Sequence, residues 1–342
     1  MRHKQLKMLQ MTFKLPCISG WKMQANVFPW HAETWQHWKT LLGQKSLHHA
    51  VLLASPKGSG RLALAAMLAK TILCKNASQE PCGVCHSCEL FVADTHPDFH
   101  LVKPEAEGKQ ICVDALRAVN HYAWKTSQLG GRRVILIQDA DHLGEAAANT
   151  ILKTLEEPPS SCYFILVVAS MNTMLPTVVS RCNKSRPKQP KEDFVKRWVE
   201  SELFQSVPIQ VIRINRGAPL AAKAFIENGN VTIHEALMDA FAGYLENKQG
   251  MFILTEKLIK TSGNGLQWLS FLLLDVMKLQ QATNEGLVHC ESLSLVEKVS
   301  YTISSSLVIR QLMALNKMKA HLTRNLGLNN ELMISNWLSD FQ

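Results

Sequence analysis

From about position 30 the chain alternates short, wholly apolar runs with longer stretches in which apolar residues return every three or four positions. Ala50-Val51-Leu52-Leu53-Ala54, Val134-Ile135-Leu136-Ile137 and the run 163–169 are apolar throughout, as expected of strands covered on both faces of a sheet. A shorter strand is expected over 99–102. Between these runs, Trp35, Trp38, Leu41 and Leu42 share a helical face that Gly43 can stop, and 62–73 is rich in Ala and Leu without a breaker. Further helices are expected over 113–124 and 143–155, the second ended by Pro158-Pro159. Strand, turn and helix in repetition predict a doubly wound α/β domain that ends near position 185. The segment 184–191 is basic, proline-rich and without hydrophobic period, and marks a boundary. Beyond it helices are expected over 193–204, 220–227, 233–246, 251–259, 266–281, 305–322 and 332–337. The fold class is α/β followed by all-α: an α/β domain over 24–187, a small helical domain over 188–238 and a helical bundle over 239–342, with 1–23 as an extension or disordered tail.

Composition narrows the class only a little. The 342 residues suffice for two or three domains, and 46% apolar with 19% charged residues is ordinary for a folded soluble chain. No apolar run approaches the roughly 18 residues a membrane span needs. The net charge of +9 favours a polyanionic neighbour such as nucleic acid, modestly. Residues 1–20 are basic and lack a continuous apolar segment with a cleavage site, so a cytoplasmic protein is expected; Met8, Met11 and Met23 are alternative starts to Met1.

Cys82-Gly83-Val84-Cys85-His86-Ser87-Cys88 contains two C-x₂-C steps, and Cys74 precedes them at the end of the 62–73 helix. Four thiolates can close a tetrahedral shell around a structural zinc, leaving no position for catalysis. Spacing alone also admits an iron–sulfur cluster, but nothing else in the sequence suggests electron transfer. His86 is an alternative ligand, or faces solvent.

The turn after the first strand reads Ser55-Pro56-Lys57-Gly58-Ser59-Gly60-Arg61-Leu62. A working phosphate loop reads G-x-x-x-x-G-K-[ST]. Here Gly58 and Gly60 remain, while Ser55, Arg61 and Leu62 replace the first glycine, the lysine and the hydroxyl that holds magnesium. After Ile137, where an NTPase places Asp-Glu, the chain has Gln138-Asp139. The pair reads either as a ligand-free turn or as a weak phosphate site without turnover. Asp139 and Asp141 are otherwise candidate helix caps, and His142 a surface residue.

Asn149-Thr150-Ile151-Leu152-Lys153-Thr154-Leu155-Glu156-Glu157-Pro158-Pro159, followed by Ser180-Arg181-Cys182, resembles the bacterial clamp-loader subunits of the AAA+ superfamily, in an order that covers nearly the whole chain from Phe28. The resemblance implies an AAA+ α/β domain with a zinc module at 74–88, a helical lid over 188–238 and a helical collar over 239–342 that oligomerises. It further implies a subunit without independent activity, within the DNA-directed DNA polymerase III holoenzyme, a nucleotidyltransferase complex. Implied partners are the gamma/tau ATPase subunits, which bind the ATP, the clamp-opening delta subunit, the sliding clamp and primer-template DNA.

Arg181 matches the arginine that such subunits project toward a neighbour's ATP; from pattern alone it is a helix-end arginine paired with a nearby carboxylate. Cys182 is expected to be packed. Ser170 and Asn172 match a phosphate-sensing region, and Leu220 stands where a second sensor arginine is usual, with Arg213 and Arg216 just upstream as potential substitutes. Glu156 and Glu157 are expected to meet solvent or another subunit. Candidates for DNA phosphate contact are Lys57, Arg61, Arg117, Lys125, Arg132 and Arg133. Two other classes compete. An independent ATPase is opposed by positions 55, 61, 62 and 138, and a zinc-bearing nucleic-acid module by the absence of Lys and Arg between Cys82 and Cys88.

Overall fold

The computed structural model describes residues 25–341 except 78, 107, 248–249, 262 and 325–328, so the expected tail over 1–23 lies outside the described residues. The chain divides into two compact units. The first contains the described residues up to Ser55 together with Arg61–Glu105 and Gln110–Pro187; the second contains Pro56–Gly60, Ala106–Lys109 and the chain from Lys188 on.

In the first unit the order is α1 (Ala32–Gly43), β1 (Ala50–Ala54), α2 (Arg61–Leu73), α3 (His86–Val92), β2 (Phe99–Val102), α4 (Val113–Ala123), β3 (Arg133–Ile137), α5 (Glu145–Glu156), β4 (Cys162–Val168), α6 (Pro176–Val179) and β5 (Asn183–Ser185). The strands form one parallel sheet in the order β2-β3-β4-β1-β5. Its apolar runs are buried on both faces for a simple reason of alternation. Leu52, Ile135, Phe164 and Leu166 pack with Leu116 and Ile151 on one side, while Val51, Leu53, Leu136 and Val167 pack with Trp38, Leu64 and Leu68 on the other. Each such side chain contributes about 1.5–3 kcal/mol by burial. Strand order reverses between β4 and β1, and in open parallel sheets the crevice beyond the strand ends at such a reversal is where ligands bind. The loop 55–60 leaves β1 at that point.

Three elements of this unit escape the hydrophobic pattern, among them the one-turn helix α6, which opens on Pro176. Strand β5 is Asn183-Lys184-Ser185, polar and largely exposed, and exists because it pairs in register with Val51, Leu52 and Leu53 at the sheet edge. Positions 184 and 185 therefore belong to the sheet, and the connecting segment is confined to 186–191. Helix α3 lies inside the cysteine segment, where metal-type spacing masks a helical one.

The second unit is helical: α7 (Glu192–Leu203), α8 (Ile209–Ile214), α9 (Pro219–Glu227), α10 (Asn230–Asn247), α11 (Met251–Lys260), α12 (Asn264–Gln280), α13 (Leu293–Thr302), α14 (Ser305–Arg324) and α15 (Asn330–Ser339). Its core runs from Val195 through Phe225, Leu237 and Trp268 to Phe341, across position 238, where the sequence reading places the lid–collar boundary. A polar set lies within this unit. Asp275, at 0% exposure, accepts hydrogen bonds from the Val288 and His289 backbone N–H groups, its Oδ2 lies 2.8 Å from His289 Nδ1, and His289 Nε2 lies 3.2 Å from His234 Nε2. Among the described residues no helix is long and apolar enough to cross a membrane.

Candidate functional site

The phosphate loop is closed by the chain's own groups. Arg61 opens α2 with only 4% of its surface exposed, and its Nη1 donates to the Ser55 carbonyl at 2.8 Å. Its Nη2 donates to Asp139 Oδ1 at 2.5 Å, so the cation at the lysine position is neutralised internally. Asp139 makes that reach with φ 50°, in the left-handed region, and Gln138 Nε2 donates to its other oxygen at 3.3 Å. It makes no side-chain cap to the short turn Ala140–His142, contrary to the capping role the sequence suggested. Asp141 Oδ1 and His142 Nδ1 are buried 4.0 Å apart, so His142 is not a plain surface residue. Leu62 packs against the core with no hydroxyl to offer a metal. Lys57 is exposed. Within the second unit, the Gly58 carbonyl accepts from the backbone N–H groups of Leu220 and Ala221, at 2.9 and 3.3 Å. Gly58 has φ +78°, and a Cβ there would lie 2.4 Å from that of Ala221, so only glycine fits.

The other nucleotide-type positions also have their partners inside the chain. Ser170 Oγ accepts from the Asn172 N–H at 3.3 Å. Arg213 donates from Nε to Glu192 at 3.0 Å and from Nη1 to the Leu287 carbonyl at 2.7 Å, and Arg216 lies 5.5 Å above the Phe271 ring.

Arg181 sits differently. It follows the one-turn helix α6, and 30% of its side chain is exposed. Nε donates to Glu156 Oε1 at 2.6 Å, Nη2 donates to the same oxygen, and Nη1 donates to the Thr177 carbonyl at 2.7 Å. The carboxylate partner expected from pattern alone is therefore Glu156, whose side chain also stays 48% exposed. The two residues are 25 positions apart, so no local signal in the sequence links them. Both line an open cleft of 410 Å³ with His48, His49, Ser180 and Asn183. Burial holds His49 below its usual pKa range, and its Nε2 is bonded to the Leu155 carbonyl at 2.8 Å. Cys182 is buried and its thiol is pushed up to about 12, so it is packed and unreactive.

The four cysteines converge. The Sγ atoms of Cys74, Cys82, Cys85 and Cys88 all lie within 4.8 Å of one another, and this set can hold a metal ion. The Cys74 sulfur is 3.5 Å from that of Cys82 and 3.8 Å from that of Cys85. A tetrahedral ion with metal–sulfur bonds of about 2.3 Å needs sulfurs about 3.8 Å apart, so the spacing fits. The cradle is built by the end of α2, which delivers Cys74, and by α3, which carries Cys88 and is preceded by Cys85. Gly83 turns the knuckle with φ +76°. Ser87 fastens it from below, donating to the Leu73 carbonyl at 2.7 Å and lying 2.7 Å from His96 Nε2. His86 is exposed.

Residues 30–190 match the family model described as DNA polymerase III, delta subunit, and residues 229–342 match the model of its C-terminal part. The DNA polymerase III subunit delta′ of Yersinia pestis is 30% identical over 328 residues, covering 93% of this chain and 96% of that protein. The chain belongs to the DNA polymerase III delta′ family. The Escherichia coli delta′ subunit is 31% identical, over 85% of this chain and 88% of its own length, and the Bacillus subtilis one is 27% identical, over 82% and 87%.

The structure of this delta′ family member also sorts the basic residues singled out in the sequence. Arg133 is buried at 3% exposure and donates to the carbonyls of Tyr122, Lys125 and Thr126 beside Asp98, so it holds the loop after α4 and is no surface contact. Arg61 is removed by its pairing with Asp139. Lys57, Arg117, Lys125 and Arg132 remain exposed. Arg117 pairs with Asp114 at 3.0 Å, Lys125 lies 4.9 Å over the Tyr122 ring and Arg132 5.8 Å over that of Tyr163.

Proposed function

We propose that this chain, a non-catalytic clamp-loader component that assembles with ATPase subunits, completes the ATP site of a neighbouring subunit by presenting Arg181 in trans. The observation that carries the reading is a contrast between two arginines. Arg61, in the chain's own phosphate loop, is buried and neutralised by Asp139, whereas Arg181 is partly exposed in an open cleft. A planar cation at an open surface can stabilise charge developing on a phosphate that another chain carries. Hydrolysis then depends on a closed interface, which couples ATP turnover to assembly.

The partners in this reading are the gamma/tau ATPase subunits, the delta subunit, the sliding clamp and primed DNA, with ATP held by the neighbours. Residues 188–238 act as the lid and 239–342 as the oligomerising collar, in the cytoplasm. Cys74, Cys82, Cys85 and Cys88 hold zinc, which supplies a structural crosslink and no chemistry of its own. In the reconstituted complex, Arg181→Ala is expected to leave assembly intact while lowering DNA-stimulated ATPase and clamp loading; unchanged rates reject the proposal.

A further inference from the structure

Glu156 closes α5, where the helix C-terminus already concentrates partial negative charge and Glu157 adds another carboxylate. Pro158-Pro159 then fix the exit of the chain. A carboxylate in that place is unfavourable unless a cation answers it, and the cation that does so is Arg181. The contact is side-on: Nε, at 2.6 Å, and Nη2 both donate to Oε1, while Nη1 is held by the Thr177 carbonyl at 2.7 Å and by Ser180 Oγ at 3.4 Å. Nε–H and one Nη2–H share a single edge of the planar guanidinium. The end formed by Nη1 and Nη2 points away from that edge and keeps a further N–H on Nη2. Anchors on α5, on α6 and at Ser180 thus fix the plane of the group and leave the second Nη2 N–H, at its end, for an oxyanion.

We infer that Glu156 is the positioning residue for Arg181: with the Thr177 carbonyl, its carboxylate holds the guanidinium so that the Nη end is presented to the nucleotide phosphate of an adjacent subunit. This rests on the reading of Arg181 proposed above. A free arginine side chain samples many rotamers, and ordering it at the moment of reaction slows the step; a preoriented donor avoids that delay. The carboxylate also offsets part of the positive charge. An uncharged acceptor of the same shape should therefore serve about as well, whereas loss of the acceptor should not. Because the pair is exposed, at 30% and 48%, its removal changes stability little, so the effect is separable from unfolding.

The test uses the full complex reconstituted with its ATPase subunits, clamp and primed DNA, comparing wild type with Glu156→Ala, Glu156→Gln, Arg181→Ala and the Glu156→Ala/Arg181→Ala pair. Glu156→Ala is expected to slow single-turnover hydrolysis at the one site that Arg181 completes by about fivefold, within the range that a misplaced catalytic group costs, with KM for ATP, assembly and the rate at the remaining sites unchanged. Glu156→Gln should stay within about twofold of wild type, and the double variant should be no slower than Arg181→Ala alone, as for two groups acting as one unit. A Glu156→Ala complex as fast as wild type or faster overturns the inference, as does a Gln variant as slow as Ala. If Arg181→Ala is slow while Glu156→Ala is not, only this inference falls; if Arg181→Ala is itself unchanged, the trans reading falls with it.

Discussion

Arg61 and Asp139 decide the fate of the chain's own phosphate loop, and they do so by meeting each other at 2.5 Å with side-chain exposures of 5% and 17%. Replacing Arg61 with Met leaves a half-buried carboxylate without its cation. The expected loss is about 3 kcal/mol of stability in the first unit, read as a lower urea midpoint, and an unshifted midpoint would remove the pair from the account. Restoring the working residues with Arg61→Lys and Leu62→Thr is expected to yield no magnesium-dependent phosphate release from the isolated chain. Gln138 still supplies no carboxylate for the ion, so release at a rate above background contradicts this picture. The degenerate loop is legible in the sequence because each substitution is chemically explicit. What fills it is not, since Asp139 lies 78 positions from Arg61 and reads locally as a cap. Glu156 escapes for the same reason: its partner is reached only after the chain has crossed β4.

At the scale of elements, the cysteine module joins α2 to α3 across a loop with little apolar material, so a metal held by the four cysteines would be the natural source of its order. Removing the ion with a chelator under reducing conditions is expected to release about one equivalent of zinc per chain and to open 74–92 to proteolysis while the sheet survives. A segment equally protected with and without metal would show that the Ser87 and His96 contacts suffice. The buried strands and the longer helices are legible because one rule, burial on both faces or on one helical face, governs each of them. Helix α13 obeys that rule too, with Val296 and Val299 buried on one face, yet lies outside the expected helices, whereas β5 and α8 obey other rules. Strand β5 is set by edge pairing rather than by side chains, and α8 is a six-residue helix of mostly β-branched residues, Ile209, Val211, Ile212 and Ile214, whose local preference is for strand.

Over the whole molecule, burial holds His31 and His100 at about 4 in the first unit and His234 at about 3 in the second, against 6.5 when unfolded. Below pH 6.5 the unfolded chain takes up protons that these groups refuse when folded, so stability falls as pH drops from 6.5 toward 4 and is unaffected by them above 6.5. Each contributes up to about 1.4 kcal/mol per pH unit. Thermal melts at pH 8.5, 7.5 and 5 should show nearly equal midpoints for the first two and a clear drop at the third; a flat series contradicts the burial. The division into an α/β part and a helical part is legible from composition along the chain, while the polar set of Asp275, His289 and His234 is not, because three separate segments bring it together. The claim on which the function turns is that one ATP site of the assembly is finished by this chain. Single-turnover hydrolysis in the assembled complex measures it directly. With Arg181→Ala, the ATP at one site is expected to react about a thousandfold more slowly, while the remaining sites keep their wild-type rate. A progress curve in which every site keeps its wild-type rate would contradict the account.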